Sequence, residues 1–214
     1  MTARDSALGR IGDPVLRALA ARGRVRHYAR GKHLIHEGEP GDSLFVLLSG
    51  KVKVYVADAS GRQMTLGQYG TGSHVGEMAL DGRPRSASVL ALEPTVCAEV
   101  ATAKLLAAIR SDPEIALRLI LSMIGRQRHD TGILKDLALM DVYGRVARLL
   151  RELEYEERDG ASWSRERLTQ TEIASRVGAS RDMVGLILKD LRAGGYIEMV
   201  DKRFRIRRRP PPRW

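Results

Sequence analysis

Residues 168–198 read LTQTEIASRVGASRDMVGLILKDLRAGGYIE, and this stretch leaves the chain few folds to choose from. It has the punctuation of two short helices meeting at a tight turn. Thr169 can cap the first helix, and Glu172, three residues later, completes a capping box. Ile173, Ala174 and Val177 are helically spaced apolar residues, and Gly178 supplies a turn in which a Cβ would be strained. Ser180 can cap the second helix, whose buried stripe is Val184, Ile187, Leu188 and Leu191. Arg181, Asp182, Gly185, Leu186 and Lys189 are left facing outward. An ordinary αα-hairpin uses the same turn. The caps, the small residue and the basic outer face together favour a helix-turn-helix whose second helix enters a DNA major groove.

Charge distribution adds to this. The chain of 214 residues carries a net charge of +10, yet residues 141–201 hold 10 basic and 12 acidic side chains. The C-terminal excess therefore sits in the tail, where Lys202, Arg203, Arg205, Arg207, Arg208, Arg209 and Arg213 stand without an acid. Such a tail beside a helix-turn-helix favours phosphate contact. A solvated end is the plainer reading, and Pro210, Pro211 and Pro212 fit it; the two are compatible.

One cysteine, Cys97, excludes an internal disulfide, a CxxC zinc site and a four-cysteine iron–sulfur cluster. It reads as a small buried strand residue. His33 and His36 are three apart on an expected strand and should face opposite sides, so no metal site is expected. There is no signal peptide and no apolar run of about 18 residues, which points to the cytoplasm and away from a membrane.

The apolar pattern changes along the chain. Leu8, Ile11, Val15, Leu16 and Leu19 predict an amphipathic helix over 5–22. From 24 to 100, short apolar or alternating runs (34–35, 44–48, 52–56, 64–69, 87–92, 96–100) are separated by glycine turns, the signature of a sandwich or barrel. A helical region over 103–154 breaks near Ser111-Asp112-Pro113. Within it Leu119, Met123, Arg126, Asp130, Ile133, Leu137 and Met140 alternate spacings of four and three, a heptad seam. Its two charged members are either an Arg126–Asp130 pair, within or between chains, or a ligand clamp at a dimer axis. Tyr196–Val200 and Phe204–Arg207, around Asp201-Lys202-Arg203, add a hairpin wing to the helix-turn-helix.

Gly76-Glu77-Met78-Ala79-Leu80-Asp81-Gly82-Arg83-Pro84-Arg85-Ser86-Ala87 is a Gly-rich turn with a carboxylate and an Arg-Ser pair. A carboxylate can hold a ribose hydroxyl; an arginine and a hydroxyl beside backbone N–H groups suit a phosphate. A plain surface loop has similar content.

In order with EGEPGDSLFVLLSGKVKVY (37–55), LMDVYGRVARLL (139–150) and the helix-turn-helix, this cassette resembles the cyclic-AMP receptor/FNR family of bacterial transcription regulators, over roughly residues 24–207. The resemblance implies an α+β chain: a jelly-roll-like, cyclic-nucleotide-binding β-roll over 1–102, a hinge and long dimerisation helix over 103–140, and a winged helix-turn-helix with a basic tail over 141–214. It implies a homodimer on an inverted-repeat operator, controlled by cyclic AMP or cyclic GMP as allosteric effector, with no metal, heme or iron–sulfur cluster and no catalytic residues. Glu77 matches the ribose carboxylate, Gly76 lets the backbone approach, Met78 and Ala87 flank the site, and Arg85 and Ser86 match the phosphate pair. Arg126, Asp130 and Thr131 fall where the family approaches the ligand from the long helix. Thr169, Ser180, Arg181, Asp182, Leu186, Lys189, Lys202 and Arg203 fall on the DNA side. The acidic loop Glu156–Trp163 lies where family members often touch RNA polymerase; a solvated linker with Trp163 against the core is the alternative.

Two departures from the family pattern bear on the ligand. Glu77 and Arg85 stand eight residues apart, one fewer than in many members. Asp130 replaces a hydroxyl at the base-facing position; an ionised carboxylate only accepts, and it suits the N1–H and N2–H₂ of guanine. A ligand-independent regulator or one responding to cyclic-di-GMP keeps the same DNA function. An enzyme is disfavoured, because no nucleophile–base pair, Walker-type loop or metal cluster is present to carry chemistry. The capped recognition helix argues against a nonspecific nucleoid-type protein.

Overall fold

A computed structural model describes residues 3–158, 160–208 and 210–211 and divides the chain into two compact units. One gathers the residues up to 56 with 66–129; the other gathers 57–65 with those from 130 onward. The division falls within one long helix, whereas the sequence places limits at 102/103 and 140/141, where the apolar pattern changes.

The first unit opens with α1 (Ala3–Leu8) and α2 (Pro14–Ala20), not with the single helix expected over 5–22. Asp13 accepts from Val15 N at 2.8 Å and Leu16 N at 3.2 Å, and Pro14 follows it, so a new helix starts there. The apolar spacing is shared by two helices and the buried turn residue Ile11 between them.

Eight strands follow: β1 (Arg24–Tyr28), β2 (His33–Ile35), β3 (Ser43–Ser49), β4 (Lys51–Ala57), β5 (Gln63–Gly70), β6 (His74–Val75), β7 (Ser88–Ala91) and β8 (Thr95–Ala101). They form two four-stranded sheets, in the orders β1-β8-β3-β6 and β2-β7-β4-β5. β3 is buried on both faces from Ser43 to Leu48, and its period of two serves two cores. Phe45 and Leu47 pack with Val52, Val75, Val89 and Cys97, which come from both sheets. Leu44, Val46 and Leu48 pack on the opposite face with Leu16, Leu19, Leu105 and Leu119.

The two histidines of the β2 region do not face apart. A register shift between His33 and Ile35 breaks the alternation, and the rings of His33 and His36 lie 4.3 Å apart. His33 Nε2 also lies 2.8 Å from the Tyr55 hydroxyl.

Beyond α3 (Thr102–Ser111), Asp112 Oδ1 accepts from Glu114 N at 3.1 Å and starts α4 (Glu114–Leu139). The expected seam is not one face towards one partner. Leu119 is buried in the chain's own core and Arg126 pairs with the chain's own β-roll, while Met123 is 45% exposed. Ile120, Leu134 and Leu139 are uncovered too, and so are Leu117, Leu121 and Ile124, which are also spaced four and three. Heptad spacing identifies a stripe without saying which stripe the chain's own sheets already cover.

The second unit contains α5 (Val142–Glu152), β9 (Tyr155–Arg158), β10 (Ala161–Ser164), α6 (Gln170–Val177), α7 (Arg181–Ala193), β11 (Ile197–Val200) and β12 (Arg203–Ile206). Its core includes Val146, Leu150, Ile173, Val184, Leu188, Leu191 and Phe204. The stretch read as a loop over Glu156–Trp163 lies instead in a hairpin, β9 against β10 with Glu156 opposite Trp163. Its polar strands carry no apolar alternation by which to read it. The helix-turn-helix forms as spelled: Thr169 and Glu172 complete the capping box, Gly178 ends α6 at φ 64°, and Ser180 Oγ accepts from Met183 N at 3.2 Å. In the wing, Asp201 and Lys202 turn the chain at φ 49° and 64°. Residues 57–65 belong to this unit, where the hydroxyls of Thr65 and Ser175 share a buried 2.7 Å hydrogen bond.

Candidate effector and DNA sites

Gly76 (φ 85°) and Gly82 (φ 75°) bracket a short 3₁₀ turn, Glu77–Asp81, which lifts the cassette between β6 and β7. A Cβ on Gly76 would meet Arg85 Nη1 at 2.8 Å and Ile35 Cδ1 at 2.9 Å, so the position demands glycine twice over. Glu77 is 7% exposed. Its Oε1 accepts from Arg126 Nη1 at 2.5 Å, and its Oε2 is buried with no hydrogen-bond partner among the described residues. A buried carboxylate oxygen of this kind is an acceptor awaiting a donor.

Arg85 is equally buried. Nη1 donates to the Gly76 carbonyl at 2.9 Å and Nη2 to Ser43 Oγ at 3.2 Å. Burial lowers its pKa below the ordinary guanidinium value, opposed by the charges of Asp42 and Glu77. A Cβ on Gly41 would overlap the Arg85 side chain, so the backbone there presses directly on the arginine. Ser86 is exposed and donates to Met78 Sδ at 3.2 Å; Met78 is exposed and Ala87 half-buried.

Arg126 reaches this site from α4. Besides Glu77 it donates to the His74 carbonyl and stacks over the Tyr69 ring at 4.6 Å. Sequence reasoning missed Gly41, Ser43, Tyr69 and His74. Gly41 was legible only as part of a turn, and nothing local links the other three to a site. His74 is 2% exposed; burial first and the Arg126 charge second push its pKa down to about 4, with the Glu77 charge opposing. Asp130 and Thr131 lie one turn beyond Arg126 on the same helix, the first half-buried and the second exposed.

On α7, Arg181, Asp182, Leu186 and Lys189 are exposed, as expected, and so is Met183 at 46%. The hydroxyls of Thr169 and Ser180 serve as helix caps. Gln170 stands beside Gly185, where an added Cβ would lie 3.3 Å from its Oε1. The tail differs from the expectation of free cations. Arg203 turns inward, donating to Glu156 at 2.9 Å and to the Ser164 carbonyl at 2.8 Å. Arg205 and Arg207 pair with Glu198, and Arg208 lies over the Tyr196 ring. Lys202 is exposed at the wing tip. Arg209, Pro212 and Arg213 lie outside the described residues. Among the described residues, no helix is long and apolar enough to cross a membrane and no group of three or more His, Cys, Asp or Glu side chains could hold a metal ion.

Residues 25–112 match the cyclic nucleotide-binding domain family, and residues 144–210 match the Crp-like helix-turn-helix domain family. The cAMP-activated global transcriptional regulator CRP of Escherichia coli O6:H1 is 33% identical over 186 residues, 84% of this chain and 87% of that protein. The CRP-like cAMP-activated global transcriptional regulator of Mycobacterium tuberculosis is 35% identical over 179 residues, 82% of this chain and 80% of that one. The structure of the c-di-GMP responsive global regulator CLP of Xanthomonas campestris superposes with a TM-score of 0.83 at 25% identity, covering 90% of this chain and 97% of that one. The carboxylate-and-arginine cassette, the capped helix-turn-helix and these matches agree: the chain belongs to the cyclic-AMP receptor/FNR family of DNA-binding transcription regulators, with a cyclic nucleotide-binding domain joined to a Crp-like helix-turn-helix.

Proposed function

We propose that this regulator acts as a homodimer whose DNA binding is controlled by a cyclic nucleotide, cyclic AMP or cyclic GMP, held in the β-roll. The observation that carries the effector reading is the free Oε2 of buried Glu77, an acceptor placed for a ribose hydroxyl. Arg85 and Ser86 supply the phosphate side. By the family resemblance Asp130 and Thr131 fall at base-facing positions, and an ionised Asp130 would suit guanine. The relatives in Escherichia coli and Mycobacterium tuberculosis are cAMP-activated, which supports the same ligand class.

Dimerisation rests on the exposed stripe Leu117, Leu121 and Ile124 of α4, a heptad pattern left in solvent in the single chain. Two-fold symmetry then sets the recognition helices on an inverted repeat with half-sites ~34 Å apart. Arg181 reads guanine O6 and N7, Asp182 accepts from cytosine N4, and Leu186 meets a thymine methyl. Lys202 contacts phosphate. The β9–β10 hairpin, with Glu157 exposed, is the surface offered to RNA polymerase.

A second reading, cyclic-di-GMP as effector, is favoured by the similarity to CLP, which is c-di-GMP responsive. Thermal unfolding of the pure protein with cyclic AMP, cyclic GMP and cyclic-di-GMP decides between them. A ligand at 100 times its Kd adds ~2.7 kcal/mol. A rise with one nucleotide that is lost in Arg85→Ala names the effector. No rise with any of the three overturns the effector reading and leaves the DNA-binding function standing.

A further inference from the structure

Two large apolar side chains stand in solvent on α7: Met183 is 46% exposed and Leu186 59%. The stripe that α7 gives to the core of its unit is Val184, Ile187, Leu188 and Leu191, so neither of the two serves packing within that core. Leu186 comes one helical turn after Asp182 and three residues after Met183, so around the helix axis it falls between them. Arg181, Asp182 and Lys189 are exposed as well. The outer face of the recognition helix therefore sets one acceptor, Asp182, against an apolar pair, with a cation on either side.

The edges that bases present in the major groove separate the possible occupants. Cytosine offers an N4 amino donor and a bare C5. Thymine offers a C5 methyl, but the O4 acceptor beside it is repelled by an acidic side chain. Adenine and guanine carry no methyl. A donor and a methyl on neighbouring ring carbons occur together on a cytosine methylated at C5.

We propose that the recognition helix responds to cytosine C5 methylation, which tightens its hold on the operator. Asp182 accepts from N4 of the methylated cytosine and Leu186 covers its methyl. Met183, long and unbranched, closes over the contact. Arg181 and Lys189 meet the negative charge of the duplex around it. On unmodified DNA the acid and the leucine have to be met by two bases, a cytosine and a neighbouring thymine; methylation puts both partners on one. The proposal rests on the DNA recognition described above and adds a covalent mark on the operator as an input separate from the effector.

The test uses the full-length protein and duplexes that it enriches from a randomised pool, with cyclic AMP, cyclic GMP, cyclic-di-GMP or no nucleotide present. In synthetic copies of an enriched duplex each cytosine is replaced in turn by 5-methylcytosine, and each thymine by deoxyuridine. Affinity is followed by fluorescence anisotropy. At one cytosine of each half-site, 5-methylcytosine should tighten binding about fourfold, the weight of one buried methyl group. Leu186→Ala, with the helical circular-dichroism signal retained, should abolish most of that gain. Arg181→Ala should weaken binding to methylated and unmethylated duplexes alike and leave the gain in place. No gain at any cytosine overturns the proposal. So does a gain that survives in Leu186→Ala, which would come from DNA shape rather than from this side chain. A methyl effect confined to thymines also overturns it and leaves Leu186 to thymine alone. If no sequence is enriched under any condition, the sequence-specific recognition beneath the proposal falls, and the proposal with it.

Discussion

Arg126 donates to Oε1 of Glu77 at 2.5 Å, tying the long helix to the cassette across 49 residues of sequence. The carboxylate is 7% exposed and the arginine side chain 19%. The helix therefore holds one oxygen of the carboxylate, while the other has no hydrogen-bond partner among the described residues; in the proposed function it awaits a ribose hydroxyl.

Removing the arginine should strand a buried charge. Arg126→Ala is expected to destabilise the protein by about 3 kcal/mol, and Arg126→Ala with Glu77→Gln to recover most of that loss. Denaturant unfolding of the wild type, both single variants and the double variant measures the coupling. Simply additive losses would show that the two side chains do not act as a pair.

Gly41→Ala should push the Arg85 guanidinium off Ser43 and the Gly76 carbonyl, because the new methyl group claims its space. A loss of at least tenfold in affinity for the effector is expected by calorimetry. Gly12→Ala, whose Cβ meets nothing within 4 Å, serves as the control and should change nothing.

His74 makes stability depend on acid. Burial holds its folded pKa at about 4, below the ordinary imidazole value of 6.5, so the unfolded chain takes up the proton first. Above pH 6.5 both states are neutral and the contribution is fully present. It is lost as pH falls from 6.5 to about 4, by an amount on the order of 3 kcal/mol, and then levels off. Thermal melts across that window, compared with His74→Phe, should show the slope in the wild type only.

The recognition helix and the wing should separate in DNA binding. Arg181→Ala is expected to cost about 1–3 kcal/mol on the operator and little on random DNA. Lys202→Ala should weaken both alike and reduce the salt slope by about 1. Arg203→Ala should lower the stability of the domain and leave the salt slope unchanged, since its guanidinium is held by Glu156 and Ser164. Fluorescence anisotropy at several salt concentrations checks all three.

Cys97 sits at 0% exposure, and burial, assisted by the Glu99 charge, pushes its thiol up to about 12. It should resist a thiol reagent in the folded protein and react fully in denaturant. Labelling of the native protein at the rate of a free thiol would contradict the packing of the inter-sheet core.

Local chemistry made the helix-turn-helix legible. The Thr169–Glu172 box, Gly178 at positive φ, the Ser180 cap and the buried stripe from Val184 to Leu191 each depend on residues a few positions apart. The strands from 33 to 101, apart from the two-residue β6, were readable for the same reason, because glycine turns and short apolar runs are local signals. Their partners were not. β1 pairs with β8 across some seventy residues, and only tertiary structure makes that choice.

The same limit governs the sites. Glu77, Arg85 and Arg126 stand out by residue type and by resemblance, but their geometry comes from elsewhere: Gly41 and Ser43 shape Arg85, and His74 and Tyr69 receive Arg126. The basic tail shows the converse. Its charge count is a fact of sequence, yet strand pairing turns Arg203 inward and sets Arg205 and Arg207 against Glu198. Periodicity, caps and turns act over a few residues, so the amino-acid order alone determines which elements form and which side chains share a face. Which face finds which neighbour is a matter of long-range packing and of pairing between distant charges, and those contacts decided that Leu119 and Arg126 belong to the chain's own β-roll while Leu117, Leu121 and Ile124 remain outside it.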